Sequence, residues 1–220
     1  MNMTTSVSKR WMALIGLTFA VFVFNMSEFM PIGLLSGIAA DLDVTEARAG
    51  MLISVYAWVV ALLSLPLMML VSGMEFRKLL LCTVTLFIVS HVLSAMSHSY
   101  TALMLSRMGV ACAHAVFWSI ASPLAVRIAP EGRTSLALSM IVAGATLTRI
   151  AGLPGGGKIG VFLGWGGSFL CIARPSARKL AFLAFLFPQV PVDEFVSVTE
   201  LSTIIQRPGP VGLFYFRFVY

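Results

Sequence analysis

The sequence predicts an all-α membrane protein built as a polytopic helical bundle, and three observations predict it. Hydrophobic residues make up 59% of the 220 and charged residues only 11%, a balance far from that of a soluble domain. The apolar runs continue unbroken for about 20 residues, the length a helix needs to cross hydrocarbon, instead of alternating every second residue as barrel strands do. The cations gather in the short connections between those runs, which is the arrangement of membrane loops.

Residues 1–10 are polar and end in Lys9-Arg10, and the first run extends from Trp11 to Leu35. A tryptophan at that boundary suits the membrane interface. The run exceeds a signal h-region and no small-residue cleavage site follows closely, so it is expected to be a retained first span. The acidic loop Asp41-Leu42-Asp43-Val44-Thr45-Glu46 leads to a second run at 49–71, with Pro66 near its end. The basic turn Glu75-Phe76-Arg77-Lys78 precedes a third run at 79–96, and a fourth occupies 101–126. The loop Arg127-Ile128-Ala129-Pro130-Glu131-Gly132-Arg133 then opens a fifth at 136–153. Lys9, Arg10, Arg77, Lys78, Arg127 and Arg133 fall on one side of this alternation, against Arg48 and Lys158 on the other. The excess places the N-terminus in the cytoplasm under the positive-inside rule.

After Pro154 the pattern becomes irregular. Gly155-Gly156-Gly157-Lys158 reads as a flexible break, and the sixth run, at 159–187, is interrupted by Arg174-Pro175-Ser176-Ala177-Arg178-Lys179. Cations and a proline inside a span are costly in hydrocarbon, so this span is expected to be displaced, interfacial or unformed. Residues 188–210 are polar and proline-containing and read as a cytoplasmic connector. The last piece, 211–220, is apolar but too short to cross a bilayer, and is expected to be the start of a truncated further span.

The formal net charge of +6 does not indicate a nucleic-acid binder, because the cations punctuate apolar runs instead of covering a soluble face. Cys82, Cys112 and Cys171 lie in apolar stretches without pairwise metal spacing, as packing residues do. No Walker A, G-x-S-x-G, H-E-x-x-H or Cys-x-x-Cys pattern occurs, so neither an enzyme nor a metal or other cofactor is expected.

Polar residues inside the runs carry the functional reading. Thr18, Asn25 and Glu28 share one helical face by their spacing, and an intramembrane carboxylate is a functional candidate by default. The alternative is a cross-linking amide with a protonated interfacial acid. On the fourth run Arg107, His114 and Trp118 also share a face. At 1.5 Å per residue Arg107 lies about 9 Å below the outer surface and Glu28 about 10 Å. The matching depth of opposite charges predicts that Glu28 and Arg107 pair, or share a proton-dependent contact, across a cavity. His114 reads either as a proton relay or substrate-binding group, or as a neutral ring bonded to a neighbouring helix. Trp118 and Tyr56 read as cavity lining or as packing. His91 has no comparable alignment. Gly144, Gly152, Pro154 and Gly156 permit close approach and bending, and Arg149 has no nearby acid in its own run.

With these residues in place, the chain resembles the N-terminal half of a major facilitator superfamily transporter, specifically bacterial sugar efflux transporters of the drug:proton antiporter group. The likeness is carried by Asn25-Met26-Ser27-Glu28-Phe29-Met30-Pro31-Ile32-Gly33-Leu34-Leu35 and Tyr56-Ala57-Trp58-Val59-Val60-Ala61-Leu62. It continues at Arg77-Lys78-Leu79-Leu80, at Ser90-His91-Val92-Leu93-Ser94, and at Arg107-Met108-Gly109-Val110-Ala111-Cys112-Ala113-His114-Ala115-Val116-Phe117-Trp118-Ser119-Ile120. The resemblance implies an N-terminal six-helix bundle over 11–187, proton-driven alternating access, and export of arabinose-like sugars, sugar analogues or drugs across the bacterial inner membrane. It implies proton coupling at Glu28 and Arg107 and substrate contacts at Asn25, Tyr56, His114 and Trp118. Arg77, Lys78, Gly152 and Pro154 match its gating motifs, although the acidic residue usual in the loop before Arg77 is replaced by Gly73. The implied partners are a small sugar or drug, protons and lipid, and a homodimer is one way for a half-bundle to function. The alternative expectation is a truncated or degenerate copy that inserts without transporting.

Overall fold

A computed structural model describes residues 7–71 and 73–186, with the backbone alone at 151–154, 156 and 179–186. The expected connector at 188–210 and the final apolar piece lie outside the described residues. Six helices follow one another: α1 (Val7–Phe29), α2 (Leu35–Asp41), α3 (Glu46–Val71), α4 (Phe76–Ala95), α5 (Tyr100–Ile128) and α6 (Thr134–Leu186). A 3-10 turn, Met30–Leu34, joins the first two. No strand occurs among the described residues. Val7–Asp41, Glu46–Val71, Phe76–Ala95 and Tyr100–Ile128 are each long and apolar enough to cross a membrane.

The first run departs from a single straight helix because of Pro31, at the start of the 3-10 turn. Proline lacks an amide hydrogen, so the α-helical bond that would end on the carbonyl four residues back, Ser27, has no donor. The chain tightens into 3-10 geometry there before α2 resumes. In the next loop Asp43 takes φ 49°, a left-handed turn that aspartate tolerates better than most side chains. Ser99 caps α5 by accepting a hydrogen bond from the Ala102 amide at 3.3 Å, which satisfies one of the open donors of its first turn.

α6 corrects the expected break at 155–158. Helix continues through the three glycines, and the kink lies at Gly164, with φ 70° and ψ 169°. That backbone region is open essentially to glycine alone. Two of the earlier glycines face neighbouring elements at ordinary contact distance: a Cβ on Gly155 would stand 3.9 Å from the Met26 methyl of α1, and one on Gly157 3.9 Å from the Gly33 carbonyl of the 3-10 turn. The limb before the kink also rests on α1, where a Cβ at Gly144 would stand 2.7 Å from the Thr18 carbonyl. Thr148 Oγ1 donates to the Phe22 carbonyl at 3.0 Å.

The limb after the kink, 165–186, is helical across the cationic segment expected to disrupt it. Its buried side is Ser168, Phe169, Ile172, Ala173 and Ser176, at helical spacing, whereas Arg174 and Arg178 are exposed. The two described cations therefore avoid the packed face. Gly166 lets this limb approach α4, its would-be Cβ 3.0 Å from the Ala95 carbonyl.

α5 is the central helix, with buried positions from Leu103 to Ile128. The core at its middle is an aromatic column: Phe24 of α1 stacks on Phe87 of α4 and on Phe117 of α5, each at a centroid distance of 4.0 Å. Gly109 of α5 faces Ser90 of α4 so closely that a Cβ would meet its hydroxyl at 2.5 Å, and Ser94 and Ser106 hydrogen-bond at 2.8 Å between the same helices. Small residues at a contact are the usual way for membrane helices to approach closely.

Candidate functional site

Arg107 is 2% exposed, and its guanidinium reaches α1. Nη2 donates to the Ser27 carbonyl at 3.1 Å and Nη1 to the Ser27 hydroxyl at 3.4 Å. The carbonyl is the one that Pro31 deprives of its helical donor, so the arginine supplies the missing hydrogen bond from another helix. The cation also lies 4.8 Å from the Tyr56 ring centroid and 5.5 Å from that of Phe169. Aromatic faces at these distances stabilise a desolvated guanidinium by about 2 kcal/mol. Its Nε has no hydrogen-bond partner among the described residues.

Glu28 follows Ser27 on the chain, so carboxylate and guanidinium sit at one level of the bundle. They do not form the direct pair expected of them. The contact within ion-pair range of Glu28 is with His114, whose Nε2 is 3.6 Å from Oε2, too far for a hydrogen bond. The Glu28 side chain is 38% exposed and that of His114 3%, so the acid faces open space while the imidazole stands behind it. Arg107 and Arg149 both act electrostatically on Glu28. Arg149, unmatched in its own run, is exposed.

His114 Nδ1 is 2.6 Å from the Tyr56 hydroxyl. An ionised Glu28 favours hydrogen on Nε2, which leaves Nδ1 to accept from the tyrosine. His114 thus links α3 to the acid of α1, and Trp118, one turn along α5, lies 6.1 Å away ring to ring. Asn25 is buried, and its amide donates to the Val21 carbonyl of its own helix at 3.0 Å. It is one turn before Glu28 on the same face.

Glu28, Tyr56, Arg107, His114 and Trp118 therefore come together, while other predicted residues lie elsewhere. Arg77 and Lys78 sit in the first turn of α4, about 20 Å from His91 by the helical rise. The surroundings of Gly152 and Pro154 fall outside the described residues. A groove of 730 Å³ between the ends of α4 and α5, lined by Ser90, Leu93, Ser97, His98, Ser106 and Gly109, holds none of the predicted site residues.

Ser27, His91 and Phe169 belong to the cluster although sequence spacing did not single them out. His91 is fully buried. Its Nε2 is 2.8 Å from the Ser27 hydroxyl and its Nδ1 2.9 Å from the Phe87 carbonyl. One signal for Ser27 was available in the sequence: a proline four residues later frees its carbonyl. Phe169 offered none, because it reaches Arg107 only through the turn at Gly164.

The arrangement holds a partly exposed acid, a buried arginine and two buried histidines within an apolar bundle, and charged groups inside such a bundle are functional candidates.

The fold matches solved transporters. A bacterial homologue of the human lysosomal transporter Spinster, inward-facing and unoccupied, superposes with TM-score 0.72 at 19% identity, over 84% of this chain and 44% of that one. A peptide transporter POT in complex with sulfate gives TM-score 0.71 at 16% identity, over 94% and 45%. A POT family transporter in complex with 5-aminolevulinic acid gives 0.67 at 18% identity, over 94% and 46%. The present chain spans less than half the length of these proteins. The profile of the Major Facilitator Superfamily matches residues 17–215. The chain is a multi-pass membrane protein and belongs to the Major Facilitator Superfamily.

Proposed function

We propose that this bundle is one wall of a proton-coupled exporter of arabinose-like sugars, sugar analogues or drugs in the bacterial inner membrane, with its N-terminus in the cytoplasm. The observation that carries the reading is Glu28, partly exposed, in ion-pair range of His114 and in the field of Arg107 and Arg149. An ionised Glu28 draws those groups toward the cavity; a proton on it removes the negative charge and weakens their hold on α1. His114 and Tyr56 transmit the change to α3, and Trp118 and Asn25 serve as solute contacts in this reading. Arg77, Lys78, Gly152 and Pro154 serve gating in this reading. The opposite wall comes from a second six-helix unit, either another copy of this chain or a further bundle.

The test is efflux of labelled L-arabinose from proteoliposomes containing the chain. Flux that rises when a proton gradient is imposed supports the reading. Flux equal to that of empty liposomes, with and without the gradient, overturns it and favours a copy that inserts without transporting.

A further inference from the structure

Both nitrogens of the His91 ring are engaged, and their partners decide which one carries hydrogen. The Phe87 carbonyl, 2.9 Å from Nδ1, can only accept, so Nδ1 must donate. In the neutral ring Nε2 is then an acceptor, and the Ser27 hydroxyl 2.8 Å away donates to it. With its hydrogen committed there, Ser27 Oγ presents lone pairs toward Arg107 Nη1 at 3.4 Å. The donors run in one direction: Arg107 to Ser27, Ser27 to His91, His91 to the Phe87 carbonyl.

A doubly protonated His91 breaks this order. Nε2 would donate to Ser27, whose own hydrogen would then need a new acceptor. A second buried cation would also stand near Arg107, and the rings packed on His91, Phe87 at 4.2 Å and Phe169 at 6.1 Å, carry no compensating charge. Burying an uncompensated cation is far costlier than keeping a neutral ring.

We propose that His91 is a positioning residue for Arg107, a neutral imidazole protonated on Nδ1 that fixes the Ser27 hydroxyl as an acceptor and so holds the guanidinium beside Tyr56 at the level of Glu28. This rests on the reading of Arg107 as part of the coupling site. Without an acceptor at position 91, the Ser27 hydroxyl turns back on its own helix, as serine hydroxyls in helices do. The guanidinium then keeps one anchor, the Ser27 carbonyl, instead of two.

Two measurements on the intact chain test this. The chain has 3 histidines, so nitrogen-15 NMR of the solubilised protein, assigned with His98→Asn and His91→Gln, reports each ring. His91 is expected to show the neutral tautomer with hydrogen on Nδ1, its Nε2 signal moving in Ser27→Ala; hydrogen on Nε2, or a ring that titrates as an exposed histidine does, overturns the proposal. The Arg107 guanidinium signals should move in His91→Phe and stay in His91→Gln, which retains an acceptor; unmoved signals in both also overturn it. In proteoliposomes with labelled L-arabinose, His91→Phe should lower turnover about tenfold with little change in KM, and His91→Gln should stay within about twofold of the parent. Equal loss in both variants would show a merely structural role. If the parent chain moves no arabinose, the transport reading fails while the NMR result still decides whether His91 orders Ser27 and Arg107.

Discussion

Replacing Tyr56 by phenylalanine removes one oxygen and little else. The ring that faces Arg107 at 4.8 Å remains, and the change falls on the 2.6 Å hydrogen bond to His114 Nδ1. Tyr56 is 4% exposed and His114 2%, so neither group recovers its partner from bulk water. An unmet buried acceptor in a soluble protein costs about 1–3 kcal/mol. In a membrane the unfolded helices also find polar partners, which reduces side-chain hydrogen bonds between helices to about 0.6 kcal/mol on average and about 1.7 at most. The short distance and burial place this bond in the upper part of that range, so a coupling of about 1–1.7 kcal/mol is expected. The assay is a double-mutant cycle of Tyr56→Phe and His114→Ala, with unfolding followed by circular dichroism in mixed detergent micelles. A coupling under about 0.3 kcal/mol, indistinguishable from additivity, would refute the claim that these side chains act as a unit.

The remaining predictions concern backbone and charge. Gly144→Val should destabilise the bundle by about 1–3 kcal/mol in the same unfolding assay, because its Cβ meets the immobile Thr18 carbonyl; Gly37→Ala, with nothing within 4 Å of the added carbon, is the control and should be neutral or stabilising. Gly164→Ala should cost about 1–3 kcal/mol through its backbone angles alone, read as a lowered unfolding midpoint. Arg107→Lys keeps the charge but loses the fork that reaches both oxygens of Ser27, and should lower arabinose efflux about tenfold in proteoliposomes. Pro31→Ala should return an amide donor to the Ser27 carbonyl and extend α1, visible as a newly protected amide at position 31 in hydrogen exchange.

The membrane helices were legible because hydrocarbon imposes a length and excludes charge. The runs at 49–71 and 101–126 became α3 and α5 with shifts of a few residues at their ends. The break in the last helix was misplaced because three consecutive glycines look more flexible than one. In the folded chain the helix runs through them, with Gly155 and Gly157 against α1 and the 3-10 turn, and within this helix it is Gly164 that takes a glycine-only conformation. The cations at 174 and 178 read as a disruption because hydropathy does not record direction, whereas helical spacing turns both away from the buried side.

The site was legible as a set of residues and less so as a set of contacts. Helix periodicity aligned Arg107, His114 and Trp118, and the rise per residue brought Glu28 to the level of Arg107. Coulomb attraction then predicted that the two pair, or share a proton-dependent contact. The structure gives Arg107 a carbonyl that a proline had left open and gives Glu28 a histidine. Ring stacking, with Phe24 between Phe87 and Phe117, sets how far the helices approach and therefore which side chains meet. Such distances follow from packing between helices, which no single run of sequence contains.

The central claim is that the Glu28 carboxylate couples the proton gradient to movement of a solute. Its most direct test is arabinose efflux from proteoliposomes carrying Glu28→Gln, measured with and without an imposed proton gradient beside the parent chain. The account predicts that the parent responds to the gradient and that the variant, which keeps size and polarity but cannot exchange a proton, does not. A variant whose efflux and gradient dependence match those of the parent would contradict it.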